Sequence, residues 1–372
     1  MVLTIQICKM KYLVFLIYFF IIYKEAQSSD ILSLIKLPNS FSVSIYTNVP
    51  NARQMVLTPD GILFVGSRSA GKVYAIQDLD KDGFGETVTT IASKLRLPTG
   101  IAFKDGNLYV AAVSKIFKFP DIANNLFSPK IEIIKENLPM DSGHGWKYLK
   151  ISKNNRLFFN IGAPCNVCIV KDPYGTISSI KLDGSDFKIH ARGVRNSVGF
   201  VWHPITDDLW FTDNGRDGLG DNLPPCELNK LQKDEDHFGY PFCYGNNIRD
   251  LSIEYDGTCE KFLPPMLNLD AHVAPLGIDI NSTKLFSSYF RNTIFIAEHG
   301  SWNRSKKIGY RISFAKLSSD HNKIVEKGIF AEGWLKNENA SGRPADILFT
   351  NKGHMLISDD LSGNIYIIKY LD

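Results

Sequence analysis

The chain has 372 residues, of which 44% are hydrophobic, and its formal net charge at pH 7 is +3. That length suits one large β-rich domain or two smaller domains. The near-neutral balance, with no basic stripe interleaved with aromatic residues, excludes the electrostatic pattern of a nucleic-acid-binding protein, so no nucleic-acid partner is expected.

The N-terminal residues have the pattern of a secretory signal peptide. Lys9 and Lys11 precede an apolar run at residues 12–23, and a polar stretch follows at residues 25–30. The run is shorter than the ~20 residues that a membrane helix needs. We predict a signal peptide over residues 1–29, its cleavage site approximate. The mature protein is then secreted or periplasmic, with no stable membrane insertion. An uncleaved anchor is the competing interpretation.

Five cysteines follow this segment, and in an oxidising compartment they are candidates for disulfide bonds. Cys243 and Cys259 could close a loop, Cys165 and Cys168 could form a local bridge, and Cys226 is then left over. The spacing of Cys165 and Cys168 also occurs in zinc and redox sites, but no second pair of this kind supports zinc. A local disulfide is the favoured interpretation.

One strand–turn–strand pattern recurs six times along the rest of the chain. In each copy an apolar strand, a turn rich in Pro, Asp, Asn or Gly, and a second strand follow one another. The copies cover residues 55–66, 100–111, 149–159, 199–212, 276–297 and 345–358. Most copies are followed by a third strand with a glycine before it, as at residues 71–76, 175–182 and 363–369.

A spacing of about 45 to 75 residues is typical of one propeller blade per repeat. Because a small sheet cannot bury both of its faces alone, such blades pack radially around a channel. We therefore predict an all-β fold, a single six-bladed β-propeller domain over residues 30–372. The strand at residues 41–46 precedes the first copy and can join the last blade to close the ring. A β-sandwich array is the alternative.

Five polar segments flank the predicted strands, and a propeller would bring them to one mouth of its channel. These mouth segments are residues 142–147, 192–197, 213–217, 298–304 and 341–344. His144 lies between two glycines and is a candidate general base. Arg195 and Arg343 would supply two cations that suit carboxylates or phosphates. The alternatives are a histidine that caps a turn and two surface salt bridges.

Two acidic segments offer oxygen atoms of the kind that calcium binds. Asp213, Asn214 and Asp217 lie in one mouth segment, where an ordinary Asx turn is the alternative. Asp78, Asp80 and Asp82, followed by a glycine, match the start of an EF-hand loop, but Thr89 stands where the closing glutamate would be. This second segment is either a structural calcium loop or a solvated turn.

Eight ordered segments together resemble the glucose/sorbosone dehydrogenase family. They are residues 144–149, 162–168, 192–199, 210–217, 227–229, 237–241, 299–304 and 342–346. The resemblance runs from about residue 40 to the C-terminus and is closest to the sorbosone-dehydrogenase-like branch. It implies a six-bladed propeller that binds pyrroloquinoline quinone (PQQ) and calcium at the channel mouth.

The resemblance also implies roles for individual residues. His144 would be the general base, while Arg195 and Asn196 would lie against PQQ. The backbone carbonyls of Gly215 and Arg216 would hold the calcium of the cofactor.

Three further positions concern the carboxylates of PQQ and the residues around it. Arg343 matches an arginine that pairs with a PQQ carboxylate. The cofactor-binding lysine of the family falls within residues 299–307, where Arg304, Lys306 or Lys307 can substitute. Ala345 stands where better-known members have a second arginine, and their glutamine near PQQ has no clear counterpart around residues 97–100.

We therefore predict a PQQ- and calcium-dependent oxidoreductase in which His144 takes the substrate proton while hydride passes to the quinone. The substrate would be an aldose, a sorbosone-like aldehyde or a related polyol, and the electron acceptor is unknown. A calcium-dependent lactonase on a propeller is one alternative, although a mouth richer in arginine than in carboxylates favours an anionic cofactor. A non-catalytic secreted binding propeller is another.

Overall fold

The computed structural model describes residues 31–141, 143–283 and 285–371, so the predicted signal peptide lies outside the described residues. The described residues form six four-stranded antiparallel blades of a β-propeller, one of them with a fifth, parallel strand. This confirms the predicted all-β, six-bladed fold over a β-sandwich array. Within the described ranges, no helix has the length and apolar character needed to cross a membrane.

In each blade, successive strands lie progressively farther from the channel. The first strands of neighbouring blades therefore lie beside each other, as between blades 1 and 2 and between blades 5 and 6. Blade 1 contains Ala52–Leu57, Leu63–Ser67, Val73–Gln77 and Thr87–Ala92; blade 2 contains Gly100–Lys104, Asn107–Ala111, Ile116–Phe119 and Glu132–Lys135; blade 3 contains Leu149–Ile151, Arg156–Ile161, Thr176–Lys181 and Lys188–Arg192, with Asp236–His237 added in parallel. Blade 4 contains Phe200–Trp202, Leu209–Asp213, Cys226–Lys230 and Leu267–Leu269; blade 5 contains Pro275–Asn281, Thr293–Glu298, Arg311–Leu317 and Ile324–Glu332; blade 6 contains Pro344–Phe349, Met355–Asp359, Asn364–Tyr370 and Phe41–Asn48.

Short elements complete the described structure. They are the paired strands Cys243–Tyr244 with Ile248–Arg249 and Leu335–Lys336 with Asn339–Ala340, the 3₁₀ turns Ile122–Asn124 and Cys259–Lys261, and a helical turn at residues 31–34.

The N-terminal strand closes the ring, as predicted. Phe41–Asn48 pairs antiparallel with Asn364–Tyr370, so blade 6 is built from both ends of the described chain. Phe41 packs in an aromatic cluster with Phe286, Phe290 and Phe330 of blade 5. The ring is therefore closed in two ways, by sheet hydrogen bonds within blade 6 and by a buried aromatic contact between blades 5 and 6.

Strand position within a blade explains the hydrophobic pattern of each strand. Second strands such as Leu63–Ser67 are buried along their whole length because a neighbouring blade covers each face. The outermost strands Thr87–Ala92 and Ile324–Glu332 alternate between exposed and partly buried residues over most of their length. Radial packing thus places the continuous apolar runs of the sequence at the middle of each blade.

The two predicted disulfide pairings are confirmed. Cys165 is bonded to Cys168 and Cys243 to Cys259, whereas Cys226 is free and buried. The local bridge uses both sulfurs of the Cys165–Cys168 pair, which favours the disulfide interpretation over zinc.

Candidate active site

A cavity of about 320 Å³ lies at the end of the channel where the first strands of the blades begin. This volume is within the range of small-molecule sites, about 300–1,000 Å³. All five mouth segments contribute to its lining, which consists of Arg53, Arg68, Gly143, His144, Trp146, Arg195, Asn196, Asn214, Gly215, Asp217, Cys226, His272, Ala274, Leu276, His299, Gly300, Trp302, Asn303 and Arg343. We call this space the mouth cavity.

His144 has one ring nitrogen fixed and the other available. Nδ1 lies 2.7 Å from the carbonyl oxygen of Ala163, and because a carbonyl can only accept, Nδ1 carries the proton. Among the described residues none hydrogen-bonds to Nε2, which therefore holds a free lone pair. Burial, and next the nearby charge of Arg195, lower the pKa of His144 to about 4. The ring is therefore neutral and able to accept a proton at neutral pH.

The position of His144 depends on the absence of a side chain at residue 162. A Cβ atom at Gly162 would lie 2.5 Å from Cβ of His144 and 2.8 Å from its carbonyl oxygen. Both distances are too short for a real contact, so an alanine at residue 162 would displace the histidine. Gly162 belongs to a segment that carried the family resemblance, but its role emerges only in three dimensions.

Arg195 is buried, and all five of its side-chain N–H groups are donated within the protein. Nε and Nη2 donate to the carbonyl and side-chain oxygens of Asn166, and Nη1 donates to the carbonyls of Asn214 and Gly215. The remaining Nη2 hydrogen faces Asp217 Oδ2 at 3.4 Å. A ligand therefore meets the flat face and the charge of this guanidinium rather than a free hydrogen-bond donor.

Asn196 presents an unpaired acceptor. Its Oδ1 atom is buried and has no hydrogen-bond partner. The backbone N–H groups of Arg195 and Asn196 donate to the carboxylate of Asp213, at 2.8 and 2.6 Å. Burial and the nearby Glu227 raise the pKa of Asp213 to about 7. Asp213 is thus turned inward to fix this turn, and its carboxylate does not face the mouth as a calcium ligand.

Arg343 and two further arginines bring positive charge to the other side of the mouth cavity. Arg343 donates from Nε to the carbonyl of His299 and from Nη2 to that of Gly300. Arg53 is only 5% exposed, and its Nε and Nη1 atoms make no hydrogen bond. Arg68 and Arg53 both lie over the ring of Trp146, with Cζ 5.2 and 5.7 Å from its centroid.

The charge balance of the mouth cavity is positive. Four arginines line it, whereas Asp217 is the one acidic residue among the described lining residues. Asp360 lies behind the cavity, 3.3 Å from Arg53 Nε and 2.7 Å from His299 Nε2. Burial lowers the pKa of Arg53, and the nearby charge of Asp360 opposes that shift. Such a site favours an anionic ligand.

The sequence identified neither Arg53 nor Arg68. Arg53 is the second residue of the first strand of blade 1 and Arg68 follows the second strand, close to the two positions that the mouth segments occupy in other blades. A search for positive charge at these two positions in every repeat would have found both. Trp302, 74% exposed at the rim, lies in a predicted mouth segment, but its sequence context predicts no role of its own for it.

Ala345 lies in the floor of the channel mouth. It packs with Val198 and Leu276, and Trp146 lies against this apolar cluster. An arginine side chain would not fit within such a floor without displacing apolar contacts. The cation that other members place at this position therefore has no room here, while Arg53 and Arg68 approach from blade 1.

Of the two residues predicted to hold calcium through their carbonyls, one lines the mouth cavity and the other does not. Gly215 lines the mouth cavity, and its carbonyl accepts a hydrogen bond from Arg195. Arg216 does not line the cavity, and its guanidinium is paired with Asp250 at 2.6 Å on the far side. Its carbonyl remains next to Gly215 in the chain, so the pair stays a prediction.

Arg304 does not line the mouth cavity, unlike the other residues predicted to bind PQQ. Its guanidinium donates to the carbonyls of Asp221, Ala271 and Lys306 and to the side chain of Asn222. These acceptors draw the side chain away from the channel. The structure thus does not bring together Arg304 and the other predicted cofactor-binding residues.

The second acidic segment forms a compact carboxylate cluster in the hairpin of blade 1, apart from the mouth cavity. Asp78, Asp80 and Asp82 each place an oxygen within 4.8 Å of the others and of Glu86, which the sequence pattern missed. Asp78 Oδ2 accepts from the backbone of Gly83, and its Oδ1 is buried without a partner.

Comparisons with known proteins agree with this architecture. A family model described as TrAA12-like matches residues 36–371. An uncharacterized protein of Borreliella burgdorferi is 36% identical over 361 residues, which cover 92% of this chain and 93% of that protein.

Two solved structures share the fold at low sequence identity. The holo form of the pyranose dehydrogenase PQQ domain from Coprinopsis cinerea has a TM-score of 0.75 at 17% identity, covering 90% of this chain and 97% of that chain. The calcium structure of Trichoderma reesei carbohydrate-active enzyme family AA12 has a TM-score of 0.76 at 18% identity, with the same coverage. None of these comparisons distinguishes a sorbosone-dehydrogenase-like branch, which stays a prediction.

Proposed function

Because the chain belongs to the TrAA12-like family, we propose that it is a PQQ- and calcium-dependent dehydrogenase. Its reaction would be the oxidation of a CH–OH or aldehyde group of a sugar. Family and fold together indicate a PQQ-dependent sugar oxidoreductase, in line with the predicted resemblance. An aldose, a sorbosone-like aldehyde or a related polyol is the proposed substrate. The two disulfides fit the proposed secreted or periplasmic location.

The observation that carries this proposal is the set of buried polar atoms without partners around the mouth cavity. The Nη1 atom of Arg53 and the Oδ1 atom of Asn196 are buried and make no hydrogen bond, whereas Arg53 Nε lies 3.3 Å from Asp360. Buried polar groups normally have partners, so unpaired ones at a cavity point to a ligand. PQQ carries three carboxylates, and its flat, polar ring matches cations around an apolar floor.

The cationic residues of the mouth cavity would hold PQQ in two different ways. Arg53 and Arg343 retain N–H groups that can donate to its carboxylates. Arg195 has no free donor and would lie against the ring with its flat face. The apolar cluster around Leu276 and Ala345 would support the opposite side of the ring.

His144 is the proposed general base. Its Nδ1–H group is held by Ala163, so Nε2 would accept the proton from the substrate hydroxyl. PQQ supplies the electron acceptor when bound, and calcium polarises it as a Lewis acid. We retain the backbone carbonyls of Gly215 and Arg216 as the proposed calcium ligands. The exposed indole of Trp302 would face the sugar at the rim of the same cavity.

The lactonase and the binding propeller are not favoured. A hydrolytic calcium site needs several side-chain oxygens at the mouth, but Asp217 is already paired with Asn303 and Arg195. The mouth cavity also contains a neutral histidine with a free Nε2 among four arginines. A propeller that only binds a partner does not need such a base.

Titration of the signal-free protein with PQQ and calcium tests the proposed function. We expect saturable, calcium-dependent changes in PQQ absorbance, and reduction of an electron-accepting dye when an aldose is added. Hydrolysis of a lactone without PQQ, combined with no binding at micromolar PQQ, would instead favour the hydrolase.

We also propose that Asp78, Asp80 and Asp82, joined by Glu86, bind a structural calcium ion. Calcium should then raise the melting temperature of the PQQ-free protein by about 2–4 °C, because a ligand that binds only the folded state stabilises it. The D80N/D82N double variant should lose most of this increase, as measured by differential scanning fluorimetry.

The control for this prediction is Asp60→Asn, which removes an exposed carboxylate from a different turn of blade 1. Asp60→Asn should leave the calcium response intact. An equal response in D80N/D82N and wild type would show that the cluster is a solvated turn.

A further inference from the structure

A single loop, residues 163–168, contacts both His144 and Arg195. The carbonyl of Ala163 accepts the hydrogen bond from His144 Nδ1, and the N–H of Ala163 donates to the carbonyl of Arg195 at 2.8 Å. The same loop accepts two hydrogen bonds from the Arg195 guanidinium through Asn166. One short segment of blade 3 thus fixes two groups of the mouth cavity.

Asn166 is the centre of this arrangement. Its carbonyl oxygen accepts from Arg195 Nε at 2.9 Å, and its Oδ1 accepts from Arg195 Nη2 at 3.0 Å. Oδ1 also accepts from the backbone N–H of Asp217, and Nδ2 donates to the carbonyl of Asp217. Four hydrogen bonds therefore tie an exposed residue of blade 3 to two mouth segments.

The position of Asn166 is restrained by a covalent bond. Asn166 lies between Cys165 and Cys168, whose disulfide closes a loop with a sequence separation of only 3. The buried hydroxyl of Tyr240 supports both ends of this loop: it accepts from Cys168 N at 3.2 Å and lies 3.4 Å from Cys165 Sγ. Without the bond, an exposed four-residue loop would have many other conformations.

We propose that Asn166 is a positioning residue for Arg195, and that the Cys165–Cys168 disulfide holds Asn166 in the conformation that keeps the guanidinium beside His144. This inference deepens the proposed function, on which its consequence for catalysis rests. Asn166 makes no hydrogen bond to His144 itself and acts on it through Arg195.

Loss of Asn166 would release Arg195. A side chain without Oδ1 removes the acceptor of Nη2, and a freed loop also removes the backbone acceptor of Nε. The guanidinium then turns toward solvent or toward Asp217 to satisfy its N–H groups. Arg195 and Asp217 are the charges that act on His144, the first lowering and the second raising its pKa. Movement of Arg195 away from the ring therefore raises that pKa.

Histidine titration by NMR in the PQQ-free protein tests this inference. The chain has eight histidines, and His144→Gln identifies the resonance of His144. In wild type its midpoint should lie far below that of an exposed histidine. In Asn166→Ala, and in the C165S/C168S double variant, we expect the midpoint to rise by about 0.5–1 pH unit.

Two controls separate positioning from general destabilisation. Val167→Ala alters the same loop without removing an acceptor, and C243S/C259S removes the other disulfide. Neither should move the midpoint of His144. Asn166→Ala is a surface substitution, so it reports on the loop even if the cysteine double variant fails to fold.

In the PQQ-loaded enzyme, Asn166→Ala should lower kcat/KM for sugar about tenfold and shift the acid limb of its pH profile upward by the same amount as the NMR midpoint. A lower melting temperature with an unmoved midpoint in both variants would overturn the inference. The titration needs no cofactor, so it decides the inference even if wild type oxidises no sugar, and an unmoved midpoint in an active wild type would leave the proposed function intact.

Discussion

His144→Gln is expected to reduce sugar oxidation by about 10²–10⁴-fold, the range that a general base contributes, while PQQ still binds. Glutamine keeps a polar side chain of similar reach but cannot accept the substrate proton. Dye-linked turnover at saturating sugar measures the first effect, and the absorbance of bound PQQ measures the second.

The same base predicts the acid limb of the wild-type profile. Only the neutral ring accepts a proton, and its pKa in the free protein is about 4. The value of kcat/KM should therefore fall as pH decreases through about 4 and should be constant from there to neutral pH. His354→Gln, in the turn between the first two strands of blade 6, is the matched control and should leave turnover unchanged. Full turnover in His144→Gln would remove His144 from the mechanism.

Arg53→Gln is expected to weaken PQQ binding by about 10–100-fold. A hydrogen bond to a charged group contributes about 1.5–3 kcal/mol, and each 1.4 kcal/mol changes the dissociation constant tenfold. Arg53 Nε faces Asp360, but its buried Nη1 atom has no hydrogen-bond partner, so a PQQ carboxylate would satisfy a donor that the protein alone leaves unpaired. Titration of PQQ into the calcium-loaded variant measures the change.

Arg304→Gln is the matched comparison, because this arginine is one of the cofactor-binding residues predicted from the sequence but does not line the mouth cavity. Its PQQ affinity should stay within about twofold of wild type, as usual for a substitution away from a binding site. If PQQ binding were weakened in Arg304→Gln and unchanged in Arg53→Gln, PQQ would have to bind elsewhere on the mouth face.

The fold could be predicted closely because its signals are local. Each blade repeats apolar strands and turn residues within a few dozen positions, and the strand at residues 41–46 shows the same pattern ahead of the first copy. The mouth segments could also be predicted, since equivalent positions of successive repeats come to the same end of a propeller. His144, Arg195, Asn196, Gly215 and Arg343 accordingly meet at one cavity.

The details of the site depended on contacts between blades. Arg53 and Arg68 stand in segments with no distinctive motif, and the packing of the blades around the channel places them beside Trp146. Asp213 appeared to be a calcium ligand in sequence, yet it is used by the backbone of Arg195 and Asn196. The sequence shows which donors and acceptors exist, but not which of them pair.

The local patterns of the sequence were enough to predict an all-β propeller of six blades, two candidate disulfides and a polar channel mouth that carries arginines. Contacts between distant segments determine which arginines reach the cavity and which of their N–H groups remain free, and they place Asn166 against Arg195. Strand patterns and turns can be recognised in the sequence because they arise from neighbouring residues. The carbonyl and carboxylate groups that accept hydrogen bonds from a guanidinium, by contrast, belong to residues tens to hundreds of positions away in the sequence.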